Sequence, residues 1–152
     1  MERNKGFTLL ELAIVFATVA VVAGAVAPSF VKSVYIDAAR KSALEVSQIQ
    51  EAARSFYVKN KSWPADISAM QEQGYLDSGW GARNPFGNAY FLLPQGALLL
   101  VKTQVPKDMT GMMAGILPMA SASGMEVVSA VTVPGADAET LPAGALIPWP
   151  GV

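Results

Sequence analysis

Between positions 12 and 27 the chain carries no charged side chain; the apolar run itself begins at Phe7, is interrupted only by Glu11, and reaches Pro28. As an α-helix, residues 7–27 would span about 30 Å, the thickness of a bilayer's hydrocarbon core. Ahead of it, residues 1–6 are polar and include Arg3 and Lys5. Positive charge there favours a cytoplasmic position for that end, with the rest of the chain in the periplasm or outside. A proline at position 28 removes one backbone donor and crowds the preceding turn, so it predicts a kink in a continuing helix.

Beyond Pro28 the pattern becomes amphipathic. Tyr35, Ala39, Ser42, Ala43, Val46, Ile49, Ala53 and Phe56 recur at three- and four-residue steps, with Asp37, Arg40, Lys41, Glu45, Glu51 and Arg54 on the opposite side. This spacing predicts a helix over 29–59 with one apolar stripe. The stripe is made of small residues early and larger ones late, which suits a helix whose far half lies against a sheet. Turn formers at 60–64 end it. Residues 66–73 read as a short helix, with Asp66 as N-cap and Gly74 as stop. A turn at 84–88 precedes a strand at 89–93; Pro94-Gln95-Gly96 reads as a hairpin turn before a β-rich run at 97–105. A second short helix is expected at 108–119 and a third strand at 125–133. Residues 134–152, rich in proline and glycine, read as an extended tail.

Composition narrows the function. The chain is 52% hydrophobic and only 15% charged, against about 25% charged in ordinary soluble domains. A net charge of −1 without a basic patch gives no footprint for nucleic acid. There is no histidine and no cysteine, which removes the usual zinc ligands, the commonest general base and the thiol nucleophile. Gly79-Trp80-Gly81 lacks the lysine and the helix context of a phosphate loop. Asp66, Glu72 and Asp77 could in principle pair as acid and base, but each has an ordinary capping or solvated role. Neither a cofactor nor a metal site is expected. The methionines around 112–113 could form a partner surface; packing is the simpler reading, because methionine fills irregular gaps.

Glu11 is the residue that packing does not explain. A carboxylate inside a membrane helix costs roughly 2.5–3.5 kcal/mol on insertion scales, and such residues are functional suspects by default. A secretory signal peptide, with Ala23-Gly24-Ala25 or Ala25-Val26-Ala27 as its cleavage site, gains nothing from it. Nor does a plain anchor, and a buried core helix rarely runs so long without charge. A partner cation would resolve the cost. Cleavage between Gly6 and Phe7 would supply one, the new α-amino group of Phe7, and a neighbouring subunit's Glu11 could neutralise it in low dielectric.

The stretch Gly6-Phe7-Thr8-Leu9-Leu10-Glu11 after a short basic leader resembles the signal of the type IV pilin and type II secretion pseudopilin superfamily. Gly6, Phe7, Glu11 and Pro28 occupy the family's positions for the cut, the first mature residue, the fifth-position glutamate and the twenty-second-position proline. The resemblance implies cleavage after Gly6 by a prepilin peptidase, N-methylation of Phe7, and assembly through Phe7 and Glu11 with other pilin subunits on an inner-membrane platform. It also implies an α+β lollipop, a long N-terminal α-helix packed on a small antiparallel β-sheet. The expected parts are leader 1–6, transmembrane and assembly helix 7–28, amphipathic helix 29–60, head 61–133 and tail 134–152. The precursor would sit in the inner membrane with a periplasmic head, and the assembled subunit in the pilus at the cell surface.

Two looser similarities refine the expectation. The order Trp63-Pro64, short helix, Gly74-Tyr75-Leu76, then Asn84-Pro85-Phe86-Gly87 and Tyr90 resembles pilin heads. The segment after Tyr90 looks closer to the N-terminal part of shufflon-type conjugative pilus tip adhesins. Residues 141–151 resemble the opening of phage tail-collar segments found in pilus-tip adhesins, so the tail is either a free extension or the start of a longer adhesin. These favour a minor or tip subunit of an adhesive or conjugative type IV pilus over a major pilin or a secretion pseudopilin. The scattered acids after Val105 do not make the calcium loop of the major pseudopilins, and the disulfide common in pilin heads has no cysteines here. From another class, a membrane-anchored periplasmic binding module remains open. It would retain residues 1–6 and tolerate loss of Glu11.

Overall fold

The computed structural model describes residues 8–135 and, of residues 26–28, the backbone alone. Leader residues 1–6, Phe7 and residues 136–152 therefore lie outside the described residues. The fold is α+β, with a long N-terminal helix and a four-stranded antiparallel sheet. Helix α1 covers Leu9–Asn60. Its backbone stays helical through position 28, so Pro28 does not end it. The chain divides into two compact units, Met1–Ile36 and Asp37–Val152.

In the first unit the described side chains of residues 8–25 and 29–35 are all exposed. Leu9 is 87% exposed, Phe16 65% and Val21 73%. Tyr35, expected in the buried stripe, is 44% exposed. Burial begins four residues later, at Ala39.

The second unit holds the core. Ala39, Ala43, Val46, Ile49, Ala53 and Phe56 are buried along one side of α1, on the predicted spacing. After α1 come α2 (Ile67–Glu72), β1 (Phe91–Gln95), β2 (Leu98–Gln104), α3 (Lys107–Ile116), β3 (Ala120–Ser123) and β4 (Glu126–Thr132). The strands lie in the order β1-β2-β4-β3, every neighbour antiparallel. Leu99, Val101, Val127 and Val131 turn one face of the sheet toward the α1 stripe, and Met70 of α2 and Met113 of α3 complete that core. Met113 is fully buried, as the packing reading of the methionines requires, whereas Met119 and Met125 are 46% and 53% exposed and depart from it. Gln50, within the buried side of α1, donates through Nε2 to Ser129 Oγ at 2.9 Å and so fixes the helix to β4.

Local signals explain the connections. Asp66 Oδ1 accepts from the Ala69 amide at 2.8 Å, the expected N-cap, and Gly74 follows α2 with φ +76. Asn84 is buried and satisfies the whole turn before β1. Its Oδ1 accepts from the Phe86 and Asn88 amides, and its Nδ2 donates to Thr103 Oγ1 and the Gln104 carbonyl. Gly87, at φ +83, closes that turn. Trp63 Nε1 reaches the Gly96 carbonyl at 3.1 Å.

The structure differs from the sequence-based expectation in three further places. Pro94 and Gln95 belong to β1, and the turn is Gly96 with Ala97. A proline is tolerated because β1 is an edge strand. The second short helix begins at Lys107 and stops at Ile116, and a fourth strand, Ala120–Ser123, follows it. An Ala-Ser-Ala-Ser sequence has neither β-branched nor aromatic residues, so its strand character comes from pairing with β4 rather than from propensity. Finally, Glu45 is not on a fully solvated face. Its Oε2 accepts from the Tyr90 hydroxyl at 2.5 Å.

Burial pushes the Tyr90 phenol well above its usual pKa, and the hydrogen bond and charge of Glu45 add to that effect. The folded state therefore holds the phenol proton more tightly than the unfolded chain, whose tyrosines ionise near about 10. Stability from this group is fully present below that pH and is lost as pH rises above it. Tyr90→Phe is expected to cost about 1–3 kcal/mol near neutral pH, because the mostly buried Glu45 oxygen loses its donor. Urea unfolding between pH 9 and 11 should show a smaller loss of stability in the variant than in the parent chain.

Candidate functional site

The site singled out by sequence is the start of α1. Three hydrogen bonds surround Glu11. Its Oε2 accepts from the Thr8 amide at 3.0 Å and from Thr8 Oγ1 at 3.1 Å, while the Glu11 amide donates to Thr8 Oγ1 at 3.2 Å. This reciprocal arrangement is a capping box, in which the side chains three residues apart satisfy each other's backbone donors. Glu11 is also the acid of the first turn, where the helix dipole favours negative charge. The signal is present in the sequence as Thr8-x-x-Glu11 ahead of an apolar run. Treating Glu11 only as an acid in lipid passes over it.

The capping box changes the electrostatic account of Glu11. Hydrogen bonds to a charged group contribute about 1.5–3 kcal/mol, against the roughly 2.5–3.5 kcal/mol insertion cost of a carboxylate. Part of the requirement for a partner is thus met inside the chain. The two oxygens of a carboxylate offer about four acceptor sites, and the two Thr8 donors both go to Oε2. Oε1 accepts neither of these bonds.

Downstream of Glu11, α1 offers only apolar and small groups until Lys32, apart from the hydroxyls of Thr18 and Ser29. Thr18 Oγ1 donates to the Ile14 carbonyl at 2.7 Å, within its own helix. By length and composition this helix can cross a membrane, and its most apolar window is not buried in the fold. Leu9, Leu10, Phe16, Val19 and Val21 are all more than half exposed. Contiguous apolar surface on this scale marks a membrane or protein contact. Of the predicted site residues, the structure places Glu11 and the helical backbone at Pro28; Gly6 and Phe7 fall outside the described residues.

The carboxylates considered for chemistry are dispersed. Asp66 is occupied as the α2 cap, and Asp77 Oδ1 accepts from the Gly79 amide at 2.6 Å. An open groove of about 500 Å3 runs beside Asp77, Glu51, Tyr75 and Trp80, and a separate one lies beside Asp66 and Phe91. Neither brings two of Asp66, Glu72 and Asp77 together. Among the described residues no group of three or more His, Cys, Asp or Glu side chains could hold a metal ion.

No protein-family model, curated protein or solved structure matches this chain.

Thr8→Ala is expected to remove the cap, at about 1 kcal/mol. Hydrogen exchange should register this as roughly five-fold faster exchange of the amides at 9–12, with the amides of β2 and β4 unchanged.

Proposed function

We propose that this chain is a structural subunit of a type IV pilus-like filament, a minor or tip pilin, that polymerises through its N-terminal helix. The observation that carries the reading is that the apolar first part of α1, residues 9–25, is exposed and long enough to cross a membrane, with one acid, Glu11, in its first turn. That helix needs an apolar environment at each stage, lipid before assembly and other helices after it. In this scheme the leader 1–6 is cut after Gly6 by a prepilin peptidase and the amine of Phe7 becomes the methylated mature terminus. Glu11 holds its own helix end through Thr8 and turns its second oxygen, Oε1, to the Phe7 amine of the adjacent subunit. The apolar side chains from Leu9 to Ala25 form the contacts between neighbouring helices. The head stays in the periplasm until assembly carries it to the cell surface, and an inner-membrane platform drives the process. A major pilin or a secretion pseudopilin would use the same helix; the resemblance after Tyr90 favours a tip subunit in adhesion or conjugation.

The capping box itself favours a second reading. An acid partly satisfied within its own chain suits a membrane-anchored periplasmic binding module that never assembles. Glu11→Gln separates the two, because glutamine can keep the bonds to Thr8 while abolishing the charge. The pilin reading expects normal membrane insertion, leader removal after Gly6 and loss of filaments by at least ten-fold. An anchored module expects residues 1–6 to remain and the variant to behave as the parent does. Mass spectrometry of the cellular N-terminus decides the first point: an unprocessed Met1, or a terminus created after Ala27, overturns the pilin reading.

A further inference from the structure

The groove of about 500 Å3 beside Tyr75 and Trp80 is walled by two parts of the chain. Gln48, Glu51 and Ala52 come from α1, and Tyr75, Asp77 and Trp80 come from the connection after α2. A volume of this size lies within the range of ligand sites, about 300–1,000 Å3. Ala52 is buried, Tyr75 and Trp80 are half-buried, and Gln48, Glu51 and Asp77 are exposed. The groove therefore has aromatic and aliphatic walls beneath a polar rim.

Both aromatic walls are held from behind. The ring of the buried Phe56 meets Tyr75 edge to face, with centroids 5.6 Å apart. Trp80 lies against the buried Tyr90 at the same separation, with the rings tilted by 35°. The backbone that carries Trp80 is fixed as well. Gln71 Nε2 donates to the carbonyls of Asp77 and Trp80, each at 3.0 Å, and the Trp80 amide donates to the Asp77 carbonyl at 3.0 Å. Walls ordered in advance leave less conformational freedom to be lost when a ligand binds.

The rim sets the sign of the occupant. Glu51 and Asp77 bring two carboxylates to it, and among the described residues no lysine or arginine lines the groove. Asp77 Oδ1 accepts from the Gly79 amide, which leaves its second oxygen for another donor. Glu51 makes no ion pair or hydrogen bond among the described residues. Arg54, one turn farther along α1, lines the separate groove beside Pro118 and Met119.

We infer that this groove binds an arginine side chain presented by a partner protein. A guanidinium is planar, stacks on an aromatic face and donates in a fork that matches a carboxylate, so it uses the Trp80 wall and the acidic rim together. An ammonium is a compact, strongly hydrated point charge and uses the aromatic wall less well. The inference does not depend on the pilin reading; it applies equally to an anchored module.

The test titrates an N-acetylated, C-amidated Gly-Arg-Gly peptide into the full chain, 15N-labelled, in non-ionic detergent micelles. Saturable shifts are expected at the amides of 48–55 and 74–81 and at the Trp80 indole, and raising the salt concentration should weaken them. The matched citrulline peptide keeps the shape without the charge and should bind about ten-fold more weakly or worse. Glu51→Gln with Asp77→Asn should cause a similar loss while the signals of β2 and β4 stay in place; asparagine keeps the oxygen that accepts from Gly79. Binding of citrulline as tight as that of arginine would overturn the proposal, as would arginine shifts that fall outside the groove or fail to appear. If the neutral disaccharide maltose moves the groove signals and the arginine peptide does not, the groove is a sugar site and the proposal is likewise overturned.

Discussion

Packing of one stripe of α1 against the inner face of the sheet is the constraint around which the second unit is organised. Ala39, Ser42, Ala43, Val46, Ile49, Ala53 and Phe56 are the buried residues of that stripe. Any polar group left between the two layers needs a partner there. Gln50 is such a group, and its bonds to Ser129 and the Ala130 carbonyl supply its partners within the interface. Ser129 in turn donates to the Pro118 carbonyl at 2.7 Å, which ties the connection after α3 to the same point. One buried polar relay thus fixes helix, strand and loop together. Tyr90 and Glu45 make the corresponding bond from the β1 side.

The long helix, its apolar stripe and the caps of α2 were legible in the sequence because each depends on local spacing. Asp66 and Gly74 do what their positions indicate, and so does the Asn84 turn. The features that were not legible depend on partners distant in sequence. Residues 120–123 form a strand only because β4 lies alongside, and no pattern in four small residues announces that. Pro94 resembles a turn residue because its compatibility with a strand is decided by whether a second neighbour is present. Glu45 matches the polar side of a helical wheel, yet the Tyr90 ring arrives from forty-five positions away and covers it.

At the candidate site the residue itself was legible, but its chemistry only in part. Glu11 stands out for its setting, and the structure adds that Thr8 supplies both a backbone and a hydroxyl donor. An acid held in this way is oriented before any partner arrives, so less side-chain freedom remains to be lost on pairing. The same arrangement lets a single chain tolerate the carboxylate in an apolar setting. Gly6, Phe7 and their proposed processing rest on the sequence resemblance alone.

Pro94 has a consequence for the sheet's open border. An unpaired strand at the rim normally offers a row of amides to any extended chain that drifts past, which is how folded domains seed fibrous aggregates. A rim residue with no amide hydrogen interrupts that row within β1. That gap disfavours edge-to-edge stacking of separate copies through β1.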